Sequence, residues 1–174
     1  MFHLYGFFIG VAIVVGYSIA EHIEPKVKEG AGWVISAGLV GARIYHVLEY
    51  QSYYSLNPSQ IWQIWNGGLS IWGAMIGGMI ALFIYHYTIK TLHHLASILG
   101  AIATAMPLAQ AIGRIGNGVN HEFINLVWIL PWWGAEMTLD LILFVLLWRT
   151  PLKYRMVTYL VGYGLIRYIL QPFR

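Results

Sequence analysis

Long apolar runs broken by short polar stretches dominate this chain, and several approach the roughly 20 residues that an α-helix needs to cross a bilayer's hydrocarbon. The first run, Phe2 to Ala20, ends at the polar stretch EHIEPKVKEG, where Pro25 and Gly30 interrupt helical continuation. A second helix is expected from Ala31 to Glu49, carrying Arg43, and a third from Gly67 to Tyr85. The pattern places a fourth from Leu92 to Arg114, a short fifth from Glu136 to Trp148 and a sixth from Tyr154 to Gln171. Between the second and third, IWQIWN reads as an interfacial strip. No basic stretch precedes the first run and no A-x-A pattern closes it, which indicates an uncleaved helix rather than a signal peptide. The expected fold class is all-α: a polytopic transmembrane bundle of about six helices, with residues 1–174 as one transmembrane domain and no soluble domain.

Composition sharpens this picture. Hydrophobic residues make up 59% of the 174 positions and charged residues 10%, against about 45–50% apolar in soluble domains. A water-soluble fold of this length has no means of hiding so much apolar surface. The net charge of +3 is small and dispersed, which argues against nucleic acid as a partner. Cysteine is absent, removing a disulfide framework, a thiolate metal site and a cysteine nucleophile. The histidines show no H-E-x-x-H spacing, and there is neither a G-x-S-x-G elbow nor a Walker loop, so no metal and no cofactor are expected. Lys26, Lys28, Lys90, Arg149, Lys153 and Arg155 fall in the links after the first, third and fifth helices, whereas the alternate links hold only Arg114. The positive-inside rule then turns the first set toward the cytoplasm and, for six helices, both termini outward. Gly6-x-x-x-Gly10 and Gly73-x-x-x-Gly77 are spacings for close helix packing.

Several charged residues sit where lipid should be. A charge near the bilayer centre costs about 2.5–3.5 kcal/mol on insertion scales, so each one calls for a partner or a purpose. Rise along the helices brings Arg43 and Arg167 to a similar depth in the outer half, while Arg114, Glu136 and Asp140 occupy outer helix ends and Glu122 the link between them. One reading is buried ion-pair glue. The other is that arginines exceeding the carboxylates at that level await an anionic ligand, for which the planar guanidinium suits phosphate, and in a membrane the nearest phosphate belongs to a lipid head group.

The stretch GRIGNGVNHE, residues 113–122, resembles the signature G-R-x-G-N-x-x-N-x-E of the bacterial prolipoprotein diacylglyceryl transferases. GGLSIWGAMIGG at 67–78 is similar to that family's G-G-L-S-x-H-G-G block, with Trp72 and Ala74 replacing the histidine and the second glycine. LYG at 4–6, GARIYHVL at 41–48, PWWGAE at 131–136 and YGLIRYILQPFR at 163–174 add weaker matches in the same order. The resemblance implies transfer of the diacylglyceryl group of phosphatidylglycerol to the lipobox cysteine thiol of a prolipoprotein signal peptide, releasing glycerol phosphate. It implies a multi-pass protein of a bacterial-type plasma (inner) membrane with its active site toward the outer leaflet. It assigns Arg114 and Arg167 as catalytic residues holding the phosphate, with Tyr5, Arg43, Gly68, Asn117, Asn120, Glu122 and Glu136 binding substrate. Trp72 stands where the family has a histidine proposed as general base, and tryptophan cannot accept a proton; Gln171 stands in place of a glutamate. His121, or water within the arginine field, is left as the base. The link before the fifth helix is too short for the family's external head domain, and the family continues about one helix further. The alternatives are a non-catalytic phospholipid-binding protein of the same fold and a small anion channel or transporter.

Overall fold

The computed structural model describes residues 4–64, 67–88, 94–120, 125–127 and 129–173. Among these the expected six long helices are present, with shifted ends, as α1 (Leu4–Ile23), α2 (Val27–Glu49), α4 (Ile71–Thr88), α5 (Leu95–Val119), α6 (Trp132–Arg149) and α7 (Arg155–Leu170). One more, the short α3 (Gln51–Leu56), fills part of the expected link, and a 3-10 segment, Pro58–Trp62, takes up the start of the expected interfacial strip. The polar stretch after α1 shrinks to Glu24–Lys26, because its glutamates and lysines are good helix formers and only Pro25 breaks the helical run. Helices α1, α2 and α5 contain segments long and apolar enough to cross a membrane, namely Gly6–Ile23, Val27–Glu49 and Leu95–Val119.

The chain divides into two compact units, residues 27–93 and residues 1–26 with 94–174. In the first, α2 packs against α4 through small residues. A Cβ on Gly41 would strike the Gly73 carbonyl oxygen, one on Gly73 would strike the Gly41 carbonyl, and Gly77 meets Ala37 in the same way. The spacing Gly73-x-x-x-Gly77 therefore does serve close packing, as small residues do where helices associate without a hydrophobic drive. A Cβ on Gly6 or Gly10 would meet nothing within 4 Å outside its own helix among the described residues, so the other glycine spacing makes no such contact there.

In the second unit α5 is the central element, with α1, α6 and α7 each packed against it. Its buried positions are mostly small, including Gly100, Ala101, Ala103, Ala105 and Ala111, which lets neighbouring backbones approach. The core gathers Ala103, Val127, Trp132, Ala135, Leu143, Leu147, Tyr159, Ile166 and Leu170. A small antiparallel pair, β1 (Leu126–Val127) and β2 (Leu130–Pro131), leads into α6, with Val127 opposite Leu130. The Trp132 amide donates to the Asn125 carbonyl at 2.8 Å, so this ladder sets the start of α6 four residues before the expected Glu136. At the other end Arg155 donates to the Thr150 carbonyl (2.8 Å), the Trp148 carbonyl (3.2 Å) and Thr104 Oγ1 (3.2 Å), closing the α6–α7 turn onto α5. Arg155 thus caps carbonyls that the end of α6 leaves open, in addition to supplying charge.

Candidate active site

Within this second unit three helices present polar side chains at four-residue spacing, the repeat that keeps positions on one helical face. Helix α6 offers Trp132, Glu136 and Asp140, all wholly enclosed at 0% exposure. Helix α7 offers Tyr159, Tyr163 and Arg167, and α5 offers Gln110, Arg114 and, nearly a turn on, Asn117. The three rows meet at the Glu136 carboxylate. Its Oε1 receives Arg114 Nη2 at 2.8 Å, Arg167 Nη1 at 3.5 Å and the Tyr163 hydroxyl at 3.4 Å. Arg114 Nη1 also donates to Asn117 Oδ1 at 3.1 Å, which fixes the guanidinium plane. Both guanidiniums lie over the Trp132 ring, 5.3 Å and 5.7 Å from its centroid, and the Trp132 indole N–H is anchored on the Leu170 carbonyl at 2.8 Å.

The arrangement is asymmetric in charge and in access. Two guanidiniums share one carboxylate oxygen, and they keep 18% and 28% side-chain exposure while the carboxylate keeps none. The exposed part of the cluster is therefore cationic, and the acid is not part of it. Asp140, one turn deeper on α6, forms no ion pair with either guanidinium, and both its oxygens are without a hydrogen-bond partner among the described residues. Beside it Gln110 Nε2 lies 3.0 Å from the Tyr159 hydroxyl, and the Tyr159 and Tyr163 rings stack at 5.7 Å.

Arg114, Arg167, Asn117 and Glu136 are thus brought together. Asn120 sits exposed at the C-cap of α5, its amide donating to the Gly116 carbonyl at 3.1 Å. Glu122 and His121 lie outside the described residues, as does the side chain of Tyr5. Arg43 and Gly68 belong to the other unit. There Arg43 donates Nε to the Ile61 carbonyl and Nη1 to the Gly67 and Gly68 carbonyls, each at 2.8 Å, and Nη2 to the Gln60 carbonyl. Four of its five N–H groups are engaged by backbone, so this guanidinium clamps the loop between the 3-10 segment and α4. Gly68, at φ +73°, permits that clamp: a Cβ would lie 2.7 Å from Arg43 Nη1 and 2.7 Å from His46 Nε2. A cavity of about 180 Å³ beside it is lined by His46, Tyr54, Gln60 and Gln63 among others. Trp132 and Tyr163 were missed as site residues. The signal was the shared four-residue step that puts Trp132 in line with Glu136, and Tyr163 with Arg167.

The fold and site so far define an all-α integral membrane protein in which two partly exposed guanidiniums share one sealed carboxylate. The family model described as prolipoprotein diacylglyceryl transferase matches residues 1–174. The chain belongs to the prolipoprotein diacylglyceryl transferase family. Relatives named phosphatidylglycerol–prolipoprotein diacylglyceryl transferase include one from Fervidobacterium nodosum, 40% identical over 74% of this chain and 46% of its own length. One from Lactococcus lactis subsp. cremoris is 34% identical over 99% of this chain and 78% of its own length. One from Clostridioides difficile is 36% identical over 98% of this chain and 77% of its own length. The chain thus spans about half of the first relative and over three quarters of the other two.

Proposed function

We propose that this chain transfers the diacylglyceryl group of phosphatidylglycerol to the cysteine thiol of a prolipoprotein signal peptide, in the inner membrane of a bacterium. The observation that carries the reading is the pairing of two partly exposed guanidiniums with one enclosed carboxylate, which leaves positive charge to meet a lipid phosphate. Arg114 and Arg167 hold that phosphate, and Asn117 fixes the plane of Arg114. As sulfur attacks the terminal glycerol carbon, the C–O bond to phosphorus breaks and a second negative charge develops on the phosphate. Cations fixed in advance in a poorly polarisable setting stabilise that charge without reorganising. In this reading the protein crosses the membrane several times and its site opens to the outer leaflet, where phosphatidylglycerol can enter sideways; nucleic acid plays no part.

Incubation of the purified protein with phosphatidylglycerol and a lipobox peptide, followed by mass measurement, tests the proposal. A diacylglyceryl increment on the peptide cysteine is expected from the wild type, and none from Arg114→Ala or Arg167→Ala. Lipid that stays bound to a wild type giving no increment would replace the transferase reading with that of a phospholipid-binding protein, for which the exchange of the family histidine for Trp72 speaks.

A further inference from the structure

Transfer also requires somewhere for the thiol proton to go, and Trp72 offers no base. We infer that Glu136 accepts that proton, and that in doing so it releases both arginines onto the departing phosphate; this rests on the transferase reading above. Glu136 Oε1 is the one atom on which Arg114, Arg167 and the Tyr163 hydroxyl converge, at 2.8, 3.5 and 3.4 Å. Its Oε2 is buried and without a hydrogen-bond partner among the described residues. The Tyr163 hydroxyl hands its proton to Glu136 Oε1 as it takes the one leaving sulfur, so the phenol ends as it began. A sulfur–carbon bond forms, the carbon–oxygen bond breaks with its electron pair going to phosphate, and the proton ends on the carboxylate.

Charge conservation in an enclosed site is the physical reason. Before transfer, two guanidiniums face one carboxylate and one singly charged phosphodiester, and this contact set is neutral. Afterwards they face a neutral carboxylic acid and a doubly charged phosphomonoester, and it is neutral again. A proton sent elsewhere would leave the carboxylate competing with the dianion for the same N–H groups, with net negative charge where water is scarce. Among the described residues the groups around Glu136 are Arg114 and Asn117 from α5, Arg167 and Tyr163 from α7, and Trp132 and Asp140 on α6. Asp140 cannot substitute, because it pairs with neither guanidinium and protonating it would free neither.

The test needs no turnover. Glycerol phosphate is titrated into the full chain in detergent at pH 7.5, where the free ligand is mostly dianionic given a second pKa of about 6. Calorimetry in buffers of different ionisation enthalpy then reads the protons taken up. Wild type and Asp140→Asn are expected to take up close to one proton per ligand, and Glu136→Gln none while binding at least as tightly. Tyr163→Phe is expected to keep the uptake, an equilibrium property, yet to slow peptide transfer by about 10²–10⁴-fold as the relay is lost. Wild-type binding without proton uptake, or uptake that survives in Glu136→Gln and vanishes in Asp140→Asn, overturns the inference and leaves the phosphate site standing. A wild type that binds no glycerol phosphate overturns the phosphate site, and the inference with it.

Discussion

Replacing Gly68 by alanine separates what the Arg43 clamp contributes from what the backbone alone demands. Gly67 and Gly68 both lie at positive φ, +86° and +73°, but a Cβ at 67 meets nothing within 4 Å while one at 68 lies 2.7 Å from Arg43 Nη1. Gly67→Ala therefore costs only the left-handed conformation, about 1–2 kcal/mol. Gly68→Ala carries the same strain and displaces a guanidinium whose Nη1 bonds to the Gly67 and Gly68 carbonyls are each 2.8 Å long. Losing one such charge-assisted bond adds about 1.5–3 kcal/mol, for a total of about 2.5–5 kcal/mol. Thermal unfolding in detergent reads the difference, at about 2–4 °C per kcal/mol for a chain of this size. A double-mutant cycle with Arg43→Met isolates the clamp, since with the guanidinium gone the cost at 68 is expected to fall by the guanidinium's share, leaving the left-handed strain and the contact with His46. A Gly68→Ala variant no less stable than Gly67→Ala, or equally costly with and without Arg43, would refute the clamp and return Arg43 to the ligand.

The remaining expectations concern the guanidinium pair and its base. Arg114→Lys keeps a positive charge but cannot reach Asn117 and Glu136 together, so transfer should fall by about 10–100-fold, the equivalent of one charge-assisted bond; a variant as active as wild type would show that charge alone suffices. Trp132→Phe abandons the bond to the Leu170 carbonyl and weakens the platform under both arginines, for about 2–4 kcal/mol of stability by thermal unfolding, and an unchanged melting temperature would contradict it. Trp72→His should leave the transfer rate within about threefold, because Glu136 already takes the proton; a rise on the scale of general-base catalysis, about 100-fold or more, would make the missing imidazole limiting.

What could be read from the sequence followed from periodicity and from the cost of charge in lipid. Apolar runs disclosed the long helices because a bilayer demands about 20 such residues in a row. Arg114 and Arg167 stood out because neither belongs in a membrane helix without a reason. The same logic does not disclose what Arg43 bonds to. A guanidinium in an apolar helix needs acceptors, and the sequence displays side chains alone, whereas the acceptors here are the backbone carbonyls of Gln60, Ile61, Gly67 and Gly68. Helix ends were blurred for a related reason: Pro131 and the Asn125 carbonyl start α6, and neither adds to an apolar pattern.

Trp132 and Tyr163 were hidden by their own chemistry, since aromatic residues near helix ends in a membrane protein are expected as interfacial anchors. The distinguishing feature is phase. Trp132, Glu136 and Asp140 step by four along α6, and Tyr159, Tyr163 and Arg167 step by four along α7. A helix face that repeats polar or amphipathic groups over two turns must find polar company, because an isolated one would leave each group unpaired in an apolar phase. Two such faces in consecutive helices complete each other, and at their crossing Glu136 gathers both guanidiniums and the Tyr163 hydroxyl. That crossing, more than any single arginine, makes α5, α6 and α7 one chemical unit.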